Sequence, residues 1–184
     1  MKLKVYLFLL LTSIVIIGCP YEAEVELNTY EESIRIDKKL LGIWIAFHND
    51  GSREEMLLTK AATSVFEVVH KQYESNNQLS GRFTYRAYPT EINDYVVFNI
   101  ETQDGKYLFA KYGWTGKNTF YLQAVNKDFV NENFKVDSVT TENLRNFITQ
   151  HVNNEKLYDY KSEFYRKDSP EHERVKTFMR KSGF

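Results

Sequence analysis

The chain has 184 residues with 24 Lys and Arg against 25 Asp and Glu, a formal net charge of −1. No basic excess is present to neutralise a phosphate backbone, so a nucleic-acid partner is not expected, and the single cysteine excludes a disulfide within the chain. With 13 Tyr and 13 Phe among its residues, the composition favours half-buried pleated surfaces and a mainly β fold.

The chain opens with a basic start, Lys2 and Lys4. An apolar run over 5–17 follows, interrupted only by Thr12 and Ser13, then Gly18 and Cys19. That is the layout of a secretory signal. Its end, Ile16-Ile17-Gly18-Cys19, resembles the lipobox of bacterial lipoproteins: an aliphatic residue, a small residue, then Cys. The resemblance implies a signal peptide over 1–18 and a Cys19 that becomes the acylated first residue, so that diacylglycerol and N-acyl (palmitate-type) chains anchor the protein to a membrane. Two such signals suffice for stable anchoring where one does not. No aspartate follows Cys19. By resemblance to lipoprotein sorting in Gram-negative cells, this points to the outer membrane and a cell-envelope location.

Residues 19–37 carry Glu22, Glu24, Glu26, Glu31 and Glu32 and few large apolar residues in any period. They read as an acidic tether between lipid and folded domain. From 43 to 125 the pattern is that of a strand meander. Strands are expected at 43–47, 54–59, 64–71, 81–88, 95–101, 106–112 and 119–125, with a further short one at 134–139. Phe66, Val68 and His70 share one face, and Phe83, Tyr85 and Ala87 alternate with Arg82, Thr84 and Arg86, the period of a half-buried strand. Pro89 is expected to end its strand. Asp50-Gly51 and Asp104-Gly105 are hairpin signals, since both turn positions favour positive φ. A meander of this length is expected to stack into a sandwich or close into a barrel, and an up-and-down antiparallel β-barrel is the expected form because closure removes exposed edges. Thr140 is placed to cap a helix over about 140–152, whose Leu144, Phe147, Ile148 and Val152 form one apolar stripe. This C-terminal helix is expected to pack outside the barrel. A last strand is expected within 158–166. The tail, 168–184, carries a short amphipathic helix near 171–181 or frays.

The segment Leu40-Leu41-Gly42-Ile43-Trp44 puts a Gly-x-Trp at the start of the first strand. Together with the meander, the outer helix and the short final strand, it resembles the lipocalin and fatty-acid-binding superfamily over roughly 38–166. The resemblance implies a lipocalin-like barrel over 38–167, with Trp44 plugging the closed end and an interior that holds a small apolar or amphipathic ligand. The bare residues equally allow Trp44 to be an ordinary core aromatic.

Catalytic signals are missing. No Ser-centred elbow, Gly-rich phosphate loop or His-Glu-x-x-His is present. His48, His70, His151 and His172 form no pair at metal-ligand spacing, so no metal or cofactor is expected and the protein reads as a non-enzyme. His48 reads as a solvated turn residue, His70 as an interior histidine able to bond a ligand, and Arg82 and Arg86 as a solvated outer face. Strand alternation gives the candidate lining set Trp44, Phe66, Val68, His70, Phe83, Tyr85, Phe98, Phe109 and Phe120. The expected role is a lipid-anchored binder of a small apolar or amphipathic ligand. The alternative is a non-catalytic interaction lipoprotein that docks an envelope protein partner through exposed tyrosines.

Overall fold

The computed structural model describes residues 20–183; the expected signal peptide over 1–18 and the expected lipidation site Cys19 lie outside the described residues. Nine strands form: β1 (Glu22–Ala23), β2 (Gly42–Phe47), β3 (Arg53–Lys60), β4 (Phe66–Tyr73), β5 (Leu79–Ile92), β6 (Tyr95–Glu101), β7 (Tyr107–Gly116), β8 (Thr119–Ala124) and β9 (Ser162–Arg166). Strands β2 to β9 pair antiparallel, each with the next. The ring closes where Trp44 and Ile45 of β2 pair with Arg166 and Tyr165 of β9. The result is the closed eight-stranded antiparallel barrel that the meander called for. The two-residue β1 adds to the flank of β7. Turn chemistry explains the tight connections: Asn77, Asn93 and Gly105 all take positive φ, which Asn tolerates and Gly adopts freely.

Pro89 does not end its strand. β5 runs on to Ile92, and Pro89 pairs with Phe98 of β6. The β4 ladder stops at Ala87, and the Pro89 carbonyl accepts instead from the Ile34 N–H at 3.2 Å. In a strand the amide and carbonyl of one residue point the same way, so the missing N–H of Pro89 faces a side with no ladder to break.

Ladder parity divides the side chains. Trp44, Met56, Leu58, Phe66, Val68 and Phe98 belong to the interior cluster, which also takes in Phe120 and Phe164. A second cluster lies outside, where Val97 and Phe109 meet Tyr21, Leu27 and the helix α2 (Thr141–His151). This helix is capped by the reciprocal Thr140–Asn143 bonds and buries Leu144, Phe147, Ile148 and Val152 against the barrel's outer face.

The stretch read as an acidic tether is part of the folded body. Tyr21, Ala23, Leu27, Asn28 and Ile36 are buried, and the Leu27 N–H donates to Asn99 Oδ1 at 2.7 Å. Some of its acids are engaged: Glu26 accepts from the Tyr88 hydroxyl, and Glu22 lies 3.5 Å from the Lys106 ammonium. Residues 134–139 form no strand. They follow a short helix, α1 (Lys127–Asn133), and the stretch of β7 that β8 leaves uncovered, Tyr107 and Leu108, is already taken by β1. The C-terminal segment forms α3 (Pro170–Lys181), capped by Ser169 with Pro170 in the first turn. It docks through His172, whose ring stacks 5.7 Å from that of Phe47, while Phe178 stays exposed. Among the described residues no helix is long and apolar enough to cross a membrane.

Candidate functional site

The two ends of the barrel differ. At one end the chain enters β2 from a single 3-10 turn, Lys38–Leu40, capped by Asp37. Trp44 is fully buried, and its Nε1–H donates to the Leu40 carbonyl at 2.7 Å. The Arg166 guanidinium lies 4.4 Å over the Trp44 ring. From there it donates to the Leu41 carbonyl at 3.1 Å and to the Lys39 carbonyl. The Trp44 ring meets Phe120 edge-on at 4.7 Å, Phe120 stacks on Phe164 at 5.4 Å, and Trp114 Nε1–H donates to Asp37 at 3.1 Å. These contacts seal this end. They also explain Gly42: its φ is +121°, and a Cβ there would meet Arg166 Nη1 at 3.1 Å.

The middle of the interior holds further rings, with Phe66 6.0 Å from Phe98 and Phe98 stacked on Tyr112 at 5.0 Å. The other end is where the β2–β3, β4–β5 and β6–β7 turns gather. There Glu54 lies between two histidines: His48 Nε2 is 2.9 Å from Oε1 and His70 Nε2 2.8 Å from Oε2. Burial alone would raise the Glu54 carboxyl, but the hydrogen bonds and positive charge of His48 and His70 outweigh it and hold the group at about 2. As a carboxylate Glu54 only accepts, so both imidazoles donate through Nε2. The bond to Glu54 raises His48 above the ordinary histidine value against an opposing effect of burial. Beside them stand Phe83, 6.1 Å from His70, and Tyr85, stacked 6.2 Å from Phe83. Burial, then the Glu54 charge, raises the Tyr85 phenol.

By register, Trp44, Met56, His70 and Phe83 lie along one line of paired residues across β2 to β5. Phe83 therefore belongs to the inner face, yet it is 41% exposed. The sealed end leaves no comparable ring in the open. This end of the barrel, its mouth, carries a part-exposed aromatic lip beside the cluster of Glu54, His48 and His70.

Of the expected lining residues, Phe66, Val68, His70, Phe83, Tyr85, Phe98 and Phe120 face inward, and Trp44 sits in the seal. Phe109 does not face inward. It pairs with Asn99, one residue out of phase with the inward Phe98 and Ala110, and packs under α2 on the outside. Arg86 points outward to Glu101 at 2.7 Å, and Arg82 is exposed. His48 is no solvated turn residue, because it binds Glu54. Sequence reasoning passed over Glu54 and Arg166. The signal for Glu54 is parity: it is two residues from Met56 and four from Leu58, both inward. Arg166 carries no local signal, since its partners are over a hundred residues away.

Two open depressions lie on the outside of the barrel, of about 560 Å³ beside Phe134, Val136 and Asn143 and about 460 Å³ beside Tyr21, Lys127 and Val139. Neither is lined by an inward-facing barrel residue. The one grouping of metal-type ligands found among the described residues is Asp168, His172 and Glu173. His172 Nδ1 there already accepts from the Asp168 N–H at 3.2 Å, so its lone pair is engaged.

No protein-family model and no curated protein matches the chain. Among solved structures it is similar to a de novo designed fluorescence-activating β-barrel, at 11% identity and a TM-score of 0.39, over 73% of this chain and 99% of that one.

Proposed function

We propose that this chain is a lipid-anchored, lipocalin-like cell-envelope protein whose barrel takes a small amphipathic ligand through its open end. The observation that carries the ligand reading is Phe83, inward by register and 41% exposed, beside a carboxylate held by two histidines. Ligand sites combine an apolar wall with a few placed polar groups. Phe83, Tyr85 and Val68 supply the wall; His70, Glu54 and His48 supply the polar end. Burial of the ligand's apolar part supplies affinity at roughly 25 cal/mol per Å², and the histidine-bound carboxylate sets which end enters last.

Titration of a fluorescent fatty-acid probe into the processed protein tests this. Saturable binding is expected, weakened about tenfold or more by Val68→Trp, which fills the wall, a loss of about 1.4 kcal/mol. It is unchanged by Arg82→Ala on the outer face. An intact fold with no saturable binding refutes the reading. It favours the alternative, an interaction lipoprotein whose interior is filled by rings such as Trp44, Phe98 and Phe120. The anchor is supported by the order Ile16-Ile17-Gly18-Cys19 after an apolar run. Cys19→Ser is expected to move the protein from the outer-membrane fraction to the soluble envelope fraction; unchanged partitioning refutes the anchor.

A further inference from the structure

The end of the barrel that holds the mouth also holds the start of the described chain. β2, β4 and β6 run toward it and turn back at 48–52, 74–78 and 102–106, and β8 runs toward it and leaves the ring at Val125 and Asn126. Pro20, the residue after Cys19, pairs with Asn126. The Tyr21 N–H donates to the Val125 carbonyl at 2.8 Å, and the Tyr21 side chain is buried. The backbone is therefore fixed from the first residue beyond the cysteine. The described chain thus starts at the rim itself, with no spacer between Pro20 and the folded body.

Three of the seven exposed large apolar side chains found among the described residues lie at the same end. Phe83 is 41% exposed on the lip, Leu79 50% on the projecting β4–β5 hairpin, and Tyr160 81% just ahead of β9. The turns at the sealed end, 61–65, 93–94 and 116–118, carry none of the exposed large apolar residues found among the described residues. An amphipathic tyrosine and short apolar protrusions suit the headgroup region of a bilayer, and a second contact strengthens an acyl anchor.

We infer that the open end is the face laid on the lipid bilayer, with Leu79, Phe83 and Tyr160 seated in the headgroup region and the mouth opening onto the membrane. An apolar ligand then passes between lipid and barrel without crossing water. This rests on the reading of Cys19 as the acylated residue.

The test uses the full processed protein in phosphatidylcholine–phosphatidylglycerol vesicles, with and without bromine on the acyl chains, and the intact mass of the same sample. Bromine quenches indole fluorescence at short range. Trp44 and Trp114 report the sealed end in the unaltered protein, Asn118→Trp adds a second reporter there, and Tyr160→Trp and Leu79→Trp report the rim. Brominated lipid is expected to quench the fluorescence added by either rim indole, as for a side chain seated at the boundary of headgroups and acyl chains, and to leave the sealed-end reporters unchanged. An acylated protein quenched equally or more at Asn118→Trp, or quenched nowhere, overturns the orientation and leaves the anchor standing. A mass without acyl chains on Cys19 overturns the anchor and the inference together.

Discussion

Asn99→Ala is the sharpest test of how the N-terminal segment is held. Asn99 is fully buried on the outer face of β6. Its Oδ1 accepts from the Leu27 N–H at 2.7 Å, and its Nδ2 donates to Asn28 Oδ1 at 2.9 Å and to Thr90 Oγ1 at 2.7 Å. The Thr90 hydroxyl in turn donates to Asn28 Oδ1. The substitution removes three bonds and leaves a buried N–H without a partner. At about 1 kcal/mol for each of the two Nδ2 bonds, and about 1–3 for the orphaned Leu27 N–H, the loss comes to about 3–5 kcal/mol. That is a large share of the roughly 5–15 kcal/mol that holds a typical domain together. Urea denaturation measures the total, and amide exchange locates it. Residues 21–36 are expected to lose protection before the barrel strands do. Asn28→Ala combined with Asn99→Ala is expected to cost less than the sum of the two, since they share atoms. A loss below about 1 kcal/mol, with exchange in 21–36 unchanged, means that apolar contacts of Tyr21 and Leu27 alone hold the segment, and the reasoning fails.

Glu54 is held at about 2 against an ordinary 4.5. Its contribution to stability is full above the ordinary value and disappears as pH falls toward the depressed one. At about 1.4 kcal/mol per pH unit, the protein is expected to lose on the order of 3 kcal/mol more than Glu54→Gln between these limits in acid denaturation; parallel curves rule this out. His48 works in the opposite sense: its contribution is full below the ordinary 6.5 and fades as pH rises past its raised value, a slope that His48→Gln is expected to remove from the stability–pH curve. Arg166→Ala is expected to cost about 2 kcal/mol and Arg166→Lys nearly as much, because an ammonium cannot both stack on Trp44 and reach two carbonyls; denaturant midpoints decide. Gly42→Ala is expected to cost about 1–3 kcal/mol through strain at its positive φ, and a neutral result in thermal unfolding contradicts the contact with Arg166.

The strand meander was legible because its alternation is clean wherever one face is wet. Phe83, Tyr85 and Ala87, set between the exposed Arg82 and Arg86, can face only one way. Phe109 was not legible because Leu108, Phe109 and Ala110 are apolar in succession: α2 covers the outer face there, so hydrophobicity no longer marks the inside. The N-terminal segment hid behind its glutamates. Its anchors, Tyr21, Ala23, Leu27 and Ile36, follow no period, and its polar grip on Asn99 and Thr90 joins residues about seventy apart. Pro89 misled because a strand break depends on which neighbour a missing N–H faces, which only the pairing reveals. Of the mouth, Glu54 could be placed inside by parity with Met56 and Leu58. That His48 and His70 converge on it is a property of three-dimensional closure.

The seam between β2 and β9 has a kinetic consequence. Arg166 grips a carbonyl 125 residues earlier in the chain, and the strand it completes is the last to leave the ribosome. Until then β2, with its run Gly-Ile-Trp-Ile-Ala-Phe, waits with one hydrogen-bonding edge bare, the kind of segment that recruits other chains. Contacts of such long sequence separation also form slowly. The nascent polypeptide is therefore vulnerable until β9 has emerged, and a holding chaperone that releases it only after residue 166 is out would raise the yield of folded protein.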